Sequence, residues 1–362
     1  MEAVGESVPG RRKHWRAEQG DAGRLAQLQA NARAFWADWQ QEAPALRGMD
    51  AVGFVCAANA VLQRHCRYVL LELEGAAAGA DDACLVFSAN GELAHFPQVQ
   101  ALLEAAPASG GCVRGFRRRA AGAGRELSVR MAGLALDAAD IWVRCTARRE
   151  RAALQVAFAK HIDTRLLPHA RNMAFILLDH VVGEWDAAVK IGTVDFLTDI
   201  ADDAVPLYRL PEQLDAFWRG LGRSGRYPQP AWQAAYYRAE ADEAAGQDAL
   251  ALKRNEAAAA LLGRADMTWC VSLSCRLDLA GGAAAAGMLE QAFYAAAEER
   301  QNGIGTLVCT HADRSMRTLY AVTAEPAVLL AKAKVLCARF KTVQAVCACE
   351  YDPTWAHYRV LP

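Results

Sequence analysis

Hydrophobic positions over residues 267–362 switch between a period of two and a helical period. Alternation of period two predicts strands, and alanine-rich segments with helical spacing, at 284–300 and 325–340, predict two helices between them. The predicted strands are 269–277, 305–310, 317–323 and 342–351. The order strand, helix, strand, strand, helix, strand is that of a split βαβ sandwich, so residues 266–362 are predicted to form a ferredoxin-like domain.

The N-terminal half combines helical stripes with short alternating segments and predicts an α+β domain over residues 21–219. Helical spacing occurs at 22–40, 48–64, 97–106 and 165–182, the last closed by Gly183. Strand patterns occur at 67–74, 83–88, 112–118, 127–136, 141–146, 153–159 and 185–197. Short connections between these segments favour hairpins, so the sheet is expected to be mostly antiparallel.

Glycine and proline cluster at 220–230 and mark the clearest break in the chain. The polar, alanine-rich segment 231–263 that follows is predicted to be mainly helical, so residues 220–265 are expected to form a break and a helical linker. Residues 1–20 are polar and are expected to be disordered. The fold class is therefore α+β, with a mixed helix and antiparallel-sheet domain followed by a ferredoxin-like βαββαβ sandwich.

Composition and charge narrow the class of protein. The 362 residues are 53% hydrophobic and 22% charged, as in folded proteins of two or three domains. Forty basic and 41 acidic residues give a formal net charge of −1, so a nucleic-acid partner is not expected. The apolar runs are shorter than the roughly 18 residues that span a bilayer, and the start lacks a secretory pattern. No membrane partner is expected.

The chain has 11 cysteines, an odd number without the CxxC pairs of metal sites. Most lie in apolar stretches, where a thiol packs like a small hydrophobic side chain. These features predict reduced thiols in the cytoplasm and no framework of disulfides.

Two stretches resemble an uncharacterised bacterial family labelled domain of unknown function 695. Glu350-Tyr-Asp-Pro-Thr-Trp-Ala-His-Tyr358 is similar to its DP-x-W-x-x-Y ending, and Leu177-Leu-Asp-His-Val-Val-Gly-Glu-Trp-Asp186 is similar to an LDH-x-x-GE-x-D signature of longer members. The resemblance implies no activity. The layout of the C-terminal module is also similar to the protein inhibitors of ribonuclease E, which have a ferredoxin-like core but are acidic and much shorter.

The richest polar cluster comprises Asp179, His180, Glu184 and Asp186, at the end of the apolar helix. Such side chains can act as general acids and bases, which makes these four the candidate catalytic residues. His169 and His180 differ by about 1100° of helical rotation and are nearly eclipsed. His169, His180 and Glu184 are therefore the candidate metal ligands. The alternative is a polar end of a buried helix where it meets a sheet, with Glu184 and Asp186 on either side of Trp185 in a strand.

The strongest basic run contains Arg114, Arg117, Arg118 and Arg119, interrupted by Phe116. Such a run could hold an anion, and these four arginines are the candidate anion-binding residues. The alternative is a row of solvated charges on a sheet edge, where charge discourages aggregation. At the C-terminal end, Trp355 and Tyr358 are expected to close the core, with His357 pointing away.

No GxSxG, phosphate-loop or HExxH motif is present in the sequence. The first hypothesis is therefore a non-enzymatic, cytoplasmic binding or regulatory module of bacterial origin that binds no cofactor and contacts a protein partner through the C-terminal sheet. The alternative is a metal-assisted hydrolase that uses His180, Glu184 and Asp186.

Overall fold

The computed structural model describes residues 20–46, 48–75, 83–108, 111–120, 124–148, 150–225, 231–237, 250–298 and 305–360. Helices and strands in several sheets form an α+β fold. The chain divides into two compact units. Residues 27–223 are called the N-terminal unit, and residues 224–362 with 1–26 the C-terminal unit. The predicted disordered start lies outside the described residues except for Gly20, which begins a helix.

Eight α-helices and 15 strands are present in the described ranges. The helices are α1 Gly20–Leu46, α2 Ala51–Gln63, α3 Phe96–Glu104, α4 Leu167–Val182, α5 Glu184–Lys190, α6 Leu210–Gly220, α7 Gly282–Ala297 and α8 Pro326–Arg339. The strands are β1 Leu70–Glu74, β2 Cys84–Ser88, β3 Cys112–Gly115, β4 Ser128–Met131, β5 Leu134–Asp137, β6 Ile141–Arg148, β7 Arg151–Phe158, β8 Ile191–Phe196, β9 Val205–Pro206, β10 Trp232–Tyr237, β11 Leu250–Asn255, β12 Trp269–Arg276, β13 Gly305–Ala312, β14 Met316–Thr323 and β15 Val346–Tyr351. None of the described helices is both long and apolar enough to cross a membrane.

Within its described residues, the N-terminal unit contains three sheets rather than the single, mostly antiparallel sheet expected. Their strand orders are β1-β2-β3, β4-β5 and β8-β7-β6-β9. β2 and β3 are parallel, as are β7 and β8, because α3 in one case and α4 with α5 in the other return the chain to the same end of the sheet. α4 packs its buried face, including Met173, Leu177 and Val181, into the core of this unit.

The predicted strand at 185–197 is wrong over its first half. Gly183 ends α4 as predicted, with a φ of 92°, and the chain immediately begins the seven-residue helix α5 before β8 starts. A Cβ atom at Gly183 would lie 2.9 Å from the main-chain nitrogen of Arg119, so the close approach of the two chains requires glycine here.

One pair of cysteines departs from the expectation of reduced thiols. Cys84 and Cys112 are opposite residues of the parallel strands β2 and β3, with Cα atoms 4.5 Å apart, and their sulfurs are bonded. The crossover through α3 brings together two cysteines that are 28 residues apart in sequence.

The C-terminal unit contains a six-stranded antiparallel sheet in the order β10-β11-β13-β14-β12-β15. The predicted order of strands and helices in residues 266–362 is confirmed. Val271, Leu273 and Cys275 of β12 alternate toward one face of the sheet, where they join the core that includes Leu289 and Phe293 of α7. Leu25 of α1 belongs to the same core.

The predicted helical linker is wrong where the segment is described. Residues 232–237 and 250–255 form strands β10 and β11, and a 3₁₀ helix follows at Glu256–Leu261. β11 pairs with β13, so this segment extends the C-terminal sheet by two strands. Alanine content favoured helix, but pairing with an existing sheet edge outweighs that weak preference.

The chain end packs as predicted for Trp355 and Tyr358. Both are 1% exposed and contact each other edge to face. Trp355 Nε1 donates a hydrogen bond to the carbonyl of Met267 at 2.8 Å, and the Tyr358 hydroxyl donates to that of Asn255 at 3.0 Å. His357 does not point away as expected, because it stacks on Tyr320 with ring centroids 4.3 Å apart.

Candidate functional site

Glu184 is completely buried at the start of α5, and main-chain amides engage both of its carboxylate oxygens. Oε1 accepts hydrogen bonds from the N–H groups of Ala89 at 2.8 Å and Gly91 at 3.1 Å. Oε2 accepts one from the N–H of Arg117 at 3.0 Å. The donors lie just beyond the carboxyl ends of the parallel strands β2 and β3. Glu184 therefore has the environment of a structural carboxylate that holds two loops to α5.

The side chain of Arg117 links the same loops to α4 and β1. Its guanidinium forms ion pairs with Asp179 and Glu72, and Nη2 donates to Ser88 Oγ at 3.3 Å. The Arg117 side chain is 15% exposed and that of Asp179 is 19% exposed, so water screens this pair weakly. Among the four predicted anion-binding arginines, Arg117 is thus already neutralised by carboxylates.

The carboxyl group of Asp179 titrates abnormally. Burial raises its pKa to about 6, and the charges of Glu184 and Glu72 add to the increase, although Arg117 opposes it. The adjacent His180 has a pKa below its ordinary value, chiefly because it is half-buried and secondarily because Arg117 is positive. Near neutral pH the site therefore combines an ionised Asp179 with an uncharged imidazole at His180.

Asp186, the fourth predicted catalytic residue, belongs to a separate ion-pair group. It contacts Lys190 at 2.7 Å and Arg119 at 3.4 Å, and Arg119 also contacts Asp215 at 2.9 Å. The hydrogen bond from Arg119 lowers the pKa of Asp215. Lys190 is the least exposed member of this group, and Asp215 is 40% exposed. The group links α5 to α6 and neutralises a second predicted anion-binding arginine.

The predicted metal ligands are not brought together. His169 and His180 share a side of α4, but eleven residues correspond to about 16 Å along a helix axis, too far for one metal ion. Within the described ranges, no group of three or more histidine, cysteine, aspartate or glutamate side chains could hold a metal ion. Rotational alignment was therefore an insufficient criterion, because it ignored the axial distance.

The remaining predicted anion-binding residues do not form a pocket. Arg114 pairs with Glu74, whose side chain is 51% exposed, and Arg118 is exposed. Arg114, Arg117 and Arg119 of the basic run therefore each pair with different carboxylates. The alternative interpretation, solvated charges along a sheet edge, describes Arg114 and Arg118 best.

A cleft of about 670 Å³ opens beside the Glu184 network, within the N-terminal unit. Asn90, Arg117, Asp179 and His180 form its polar end, and the remaining lining residues are mostly apolar, with Arg151 as a further charged residue. Asn90 and Gly91 form the predicted turn after β2, with φ values of 52° and 77°. Cleft volumes of about 300–1,000 Å³ are typical of small-molecule sites. Two of the four predicted catalytic residues, Asp179 and His180, therefore line a ligand-sized cleft.

The apolar wall of the cleft was not among the predicted site residues. Phe175 and Ile176 of α4 line it, although their side chains are 47% and 37% exposed. The signal was present in the sequence, because Met173 to Leu178 are six consecutive apolar residues. One helical face cannot bury six consecutive positions, so some must face elsewhere. Glu72 and Arg151, which also belong to the site, carried no comparable signal.

The fold and the site define an α+β protein with a ligand-sized cleft beside a buried carboxylate network. No protein-family model matches this sequence, and no curated protein or solved structure matches it either.

Proposed function

We propose that this protein is a non-enzymatic binding or regulatory protein whose small-molecule site is the cleft beside the Glu184 network. The observation that carries the proposal is that the predicted catalytic residues have two different environments. Glu184 is engaged by three main-chain amides, whereas Asp179 and His180 line the cleft. Such an arrangement suits recognition, because the loops are held in place and the polar groups face a bound molecule.

A ligand screen tests this proposal. The purified full-length chain is exposed to a library of small metabolites, and binding is measured by thermal unfolding and native mass spectrometry. Ala188 lines the cleft, so Ala188→Trp should fill it and abolish the binding of every hit. Ala139 is exposed in a turn, and Ala139→Trp is the matched control that should retain binding. Hits that still bind Ala188→Trp, or a screen without hits, would contradict the proposal.

A protein partner at the C-terminal sheet is the second candidate, favoured by one observation. Within the described residues, β15 pairs with β12 alone, so its other side can accept an additional strand. The proposed ferredoxin-like module would then act as a docking element. Crosslinking tests this candidate: a partner captured by the wild-type chain should be lost from Ala348→Lys, because charge on a sheet edge opposes strand addition. Equal capture by both chains would exclude this edge.

A further inference from the structure

We propose that the ligand of the cleft is an organic cation, namely a primary amine attached to an apolar body, and that Asp179 binds its ammonium group. This inference rests on the proposed function of the cleft and specifies the chemistry of its ligand. Three observations support it: an exposed apolar wall, a hydrogen-bond acceptor on a residue that lines the cleft, and a local excess of negative charge.

The apolar wall provides a surface for the body of such a ligand. Phe175 and Ile176 are among the few large apolar side chains that the described part of the chain leaves exposed, and both line the cleft. Val194 of β8 and Leu178 of α4 continue this wall. Covering exposed apolar surface stabilises a complex in proportion to the area removed from water.

Hydrogen-bond acceptors are present at the polar end. Within the described residues, Arg117 is the only donor to the Asp179 carboxylate, and it binds Oδ2. Oδ1 of Asp179 is therefore available as an acceptor. His180 adds an uncharged imidazole, since burial lowers its pKa. An ammonium group carries three donors and no acceptor, which matches these groups.

The charge balance distinguishes a cation from an anion. Three carboxylates, those of Glu72, Asp179 and Glu184, surround the single guanidinium of Arg117. Main-chain amides engage Glu184, but its charge remains and contributes to the raised pKa of Asp179. An incoming anion would have to displace a carboxylate from Arg117. A cation instead reduces the repulsion between Asp179 and its neighbours.

Arg151 lines the cleft at a different place and does not reverse this balance. Its guanidinium donates hydrogen bonds to the carbonyls of Ala188 at 2.6 Å and of Ile191. Those bonds hold the guanidinium at the end of α5 and the start of β8. The acceptors of Asp179 and His180 belong to a different element, α4. The acidic end of the cleft is consequently where an ammonium group is expected.

Three probes with a common phenylethyl body test the inference by calorimetric titration of the full-length chain at pH 7.5: 2-phenylethylamine, 2-phenylethanol and 3-phenylpropionate. The amine should bind at least about tenfold more tightly than either other probe. Asp179→Asn should reduce amine affinity to that of the alcohol. Asp203 is 66% exposed and pairs with Arg144 away from the cleft lining, so Asp203→Asn is the matched control and should change nothing.

Two further measurements make the test independent of how well Asp179→Asn folds. On the wild-type chain, amine affinity should fall as the pH is lowered through about 6, where Asp179 becomes protonated, while alcohol affinity should not. The groups facing Asp179, namely Arg117, Glu72, Glu184 and His180, are the same for both probes. Phe175→Ala should weaken all three probes because it removes part of the shared apolar wall.

The outcomes separate this inference from the proposed function. If the alcohol or the carboxylate binds as tightly as the amine and Phe175→Ala weakens it, the cleft is a ligand site but the amine preference is overturned. If the amine binds equally well to Asp179→Asn, the role of Asp179 is overturned. If no probe binds at millimolar concentration, the inference fails, and the Ala188→Trp screen decides separately whether the cleft binds other compounds.

Discussion

In the N-terminal unit, main-chain amides hold the buried carboxylate of Glu184, whereas in the C-terminal unit another side chain, that of Glu350, holds His357. The main-chain donors do not titrate and cannot rotate away. The side-chain partners do titrate: His311 next to His357 has a pKa lowered to about 4, first by burial and then by the positive charge of His357. The amide-bound carboxylate of Glu184 therefore fixes loop geometry in the first unit, and the buried His311 responds to pH in the second.

The largest effect is expected from removing the amide-bound carboxylate. Glu184→Ala leaves the N–H groups of Ala89, Gly91 and Arg117 without their shared acceptor and should lower the free energy of unfolding by about 3–5 kcal/mol. Urea denaturation measures the change, and Glu184→Gln should be intermediate because the amide keeps one acceptor oxygen. Asp203→Ala at the surface is the control. A loss below about 1 kcal/mol for Glu184→Ala would show that the network does not hold the loops.

The disulfide should stabilise the N-terminal unit alone. Replacing Cys84 and Cys112 together by serine removes a cross-link across 28 residues and should cost about 2–4 kcal/mol. Hydrogen exchange should show faster exchange in β2 and β3 with no change in β12 to β14. The buried Cys270 and Cys275 provide a matched serine control in the other unit. Unchanged exchange in β2 and β3 would mean that the bond does not contribute.

Acid should weaken the C-terminal unit. A histidine whose folded pKa is about 4 stays uncharged while the unfolded chain binds a proton, so its contribution to stability is full above about pH 6.5 and is lost as the pH falls to about 4. The loss should reach up to about 3 kcal/mol. Glu350 raises the pKa of His357 despite burial, so His357 remains charged across this window. Hydrogen exchange of β13 and β14 between pH 7 and 4 measures the loss, and His311→Gln should abolish it.

The opposite pH response is expected at Asp179. Its folded pKa of about 6 exceeds the ordinary value, so the folded state binds the proton more tightly and this group favours folding more as the pH falls from 6 to 4. The change should be about 3 kcal/mol, because the folded pKa lies about two units above the ordinary value and already includes the opposing effect of Arg117. Asp179→Asn should remove it from the exchange of α4. A pH response of the same sign in both units would refute the comparison.

Sequence patterns predicted the C-terminal order of elements because β12 alternates, β13 and β14 are short apolar runs of strand length, and each helix is long enough to show its period. The same criterion did not identify the strands in segment 231–263, which was predicted to be helical. Its alanines carry no period, and β10 and β11 exist because they add to the edge of β13. The seven-residue helix α5 was too short to be distinguished from a strand.

Three of the four candidate catalytic residues belong to the cleft or to the network beside it. Asp179, His180 and Glu184 are indeed close to a cleft or its supporting network. Glu184 differs from Asp179 and His180 because main-chain amides bind its carboxylate. Those donors, at Ala89, Gly91 and Arg117, are 95, 93 and 67 residues from Glu184 in the chain. No local spacing encodes such contacts. The disulfide between Cys84 and Cys112 was missed for the same reason, since it depends on a parallel pairing.

The bonds made by Glu184 also set an order of events during synthesis of the chain. The loops after β2 and β3 are translated before their acceptor, and Arg117 precedes Glu184 by 67 residues. At about 5–20 residues per second, the ribosome takes roughly 3–13 s to supply the missing carboxylate. Through that interval three amide groups that bind Glu184 in the folded protein remain bound to water, so a nascent chain stalled before residue 184 should present these loops to chaperones and proteases.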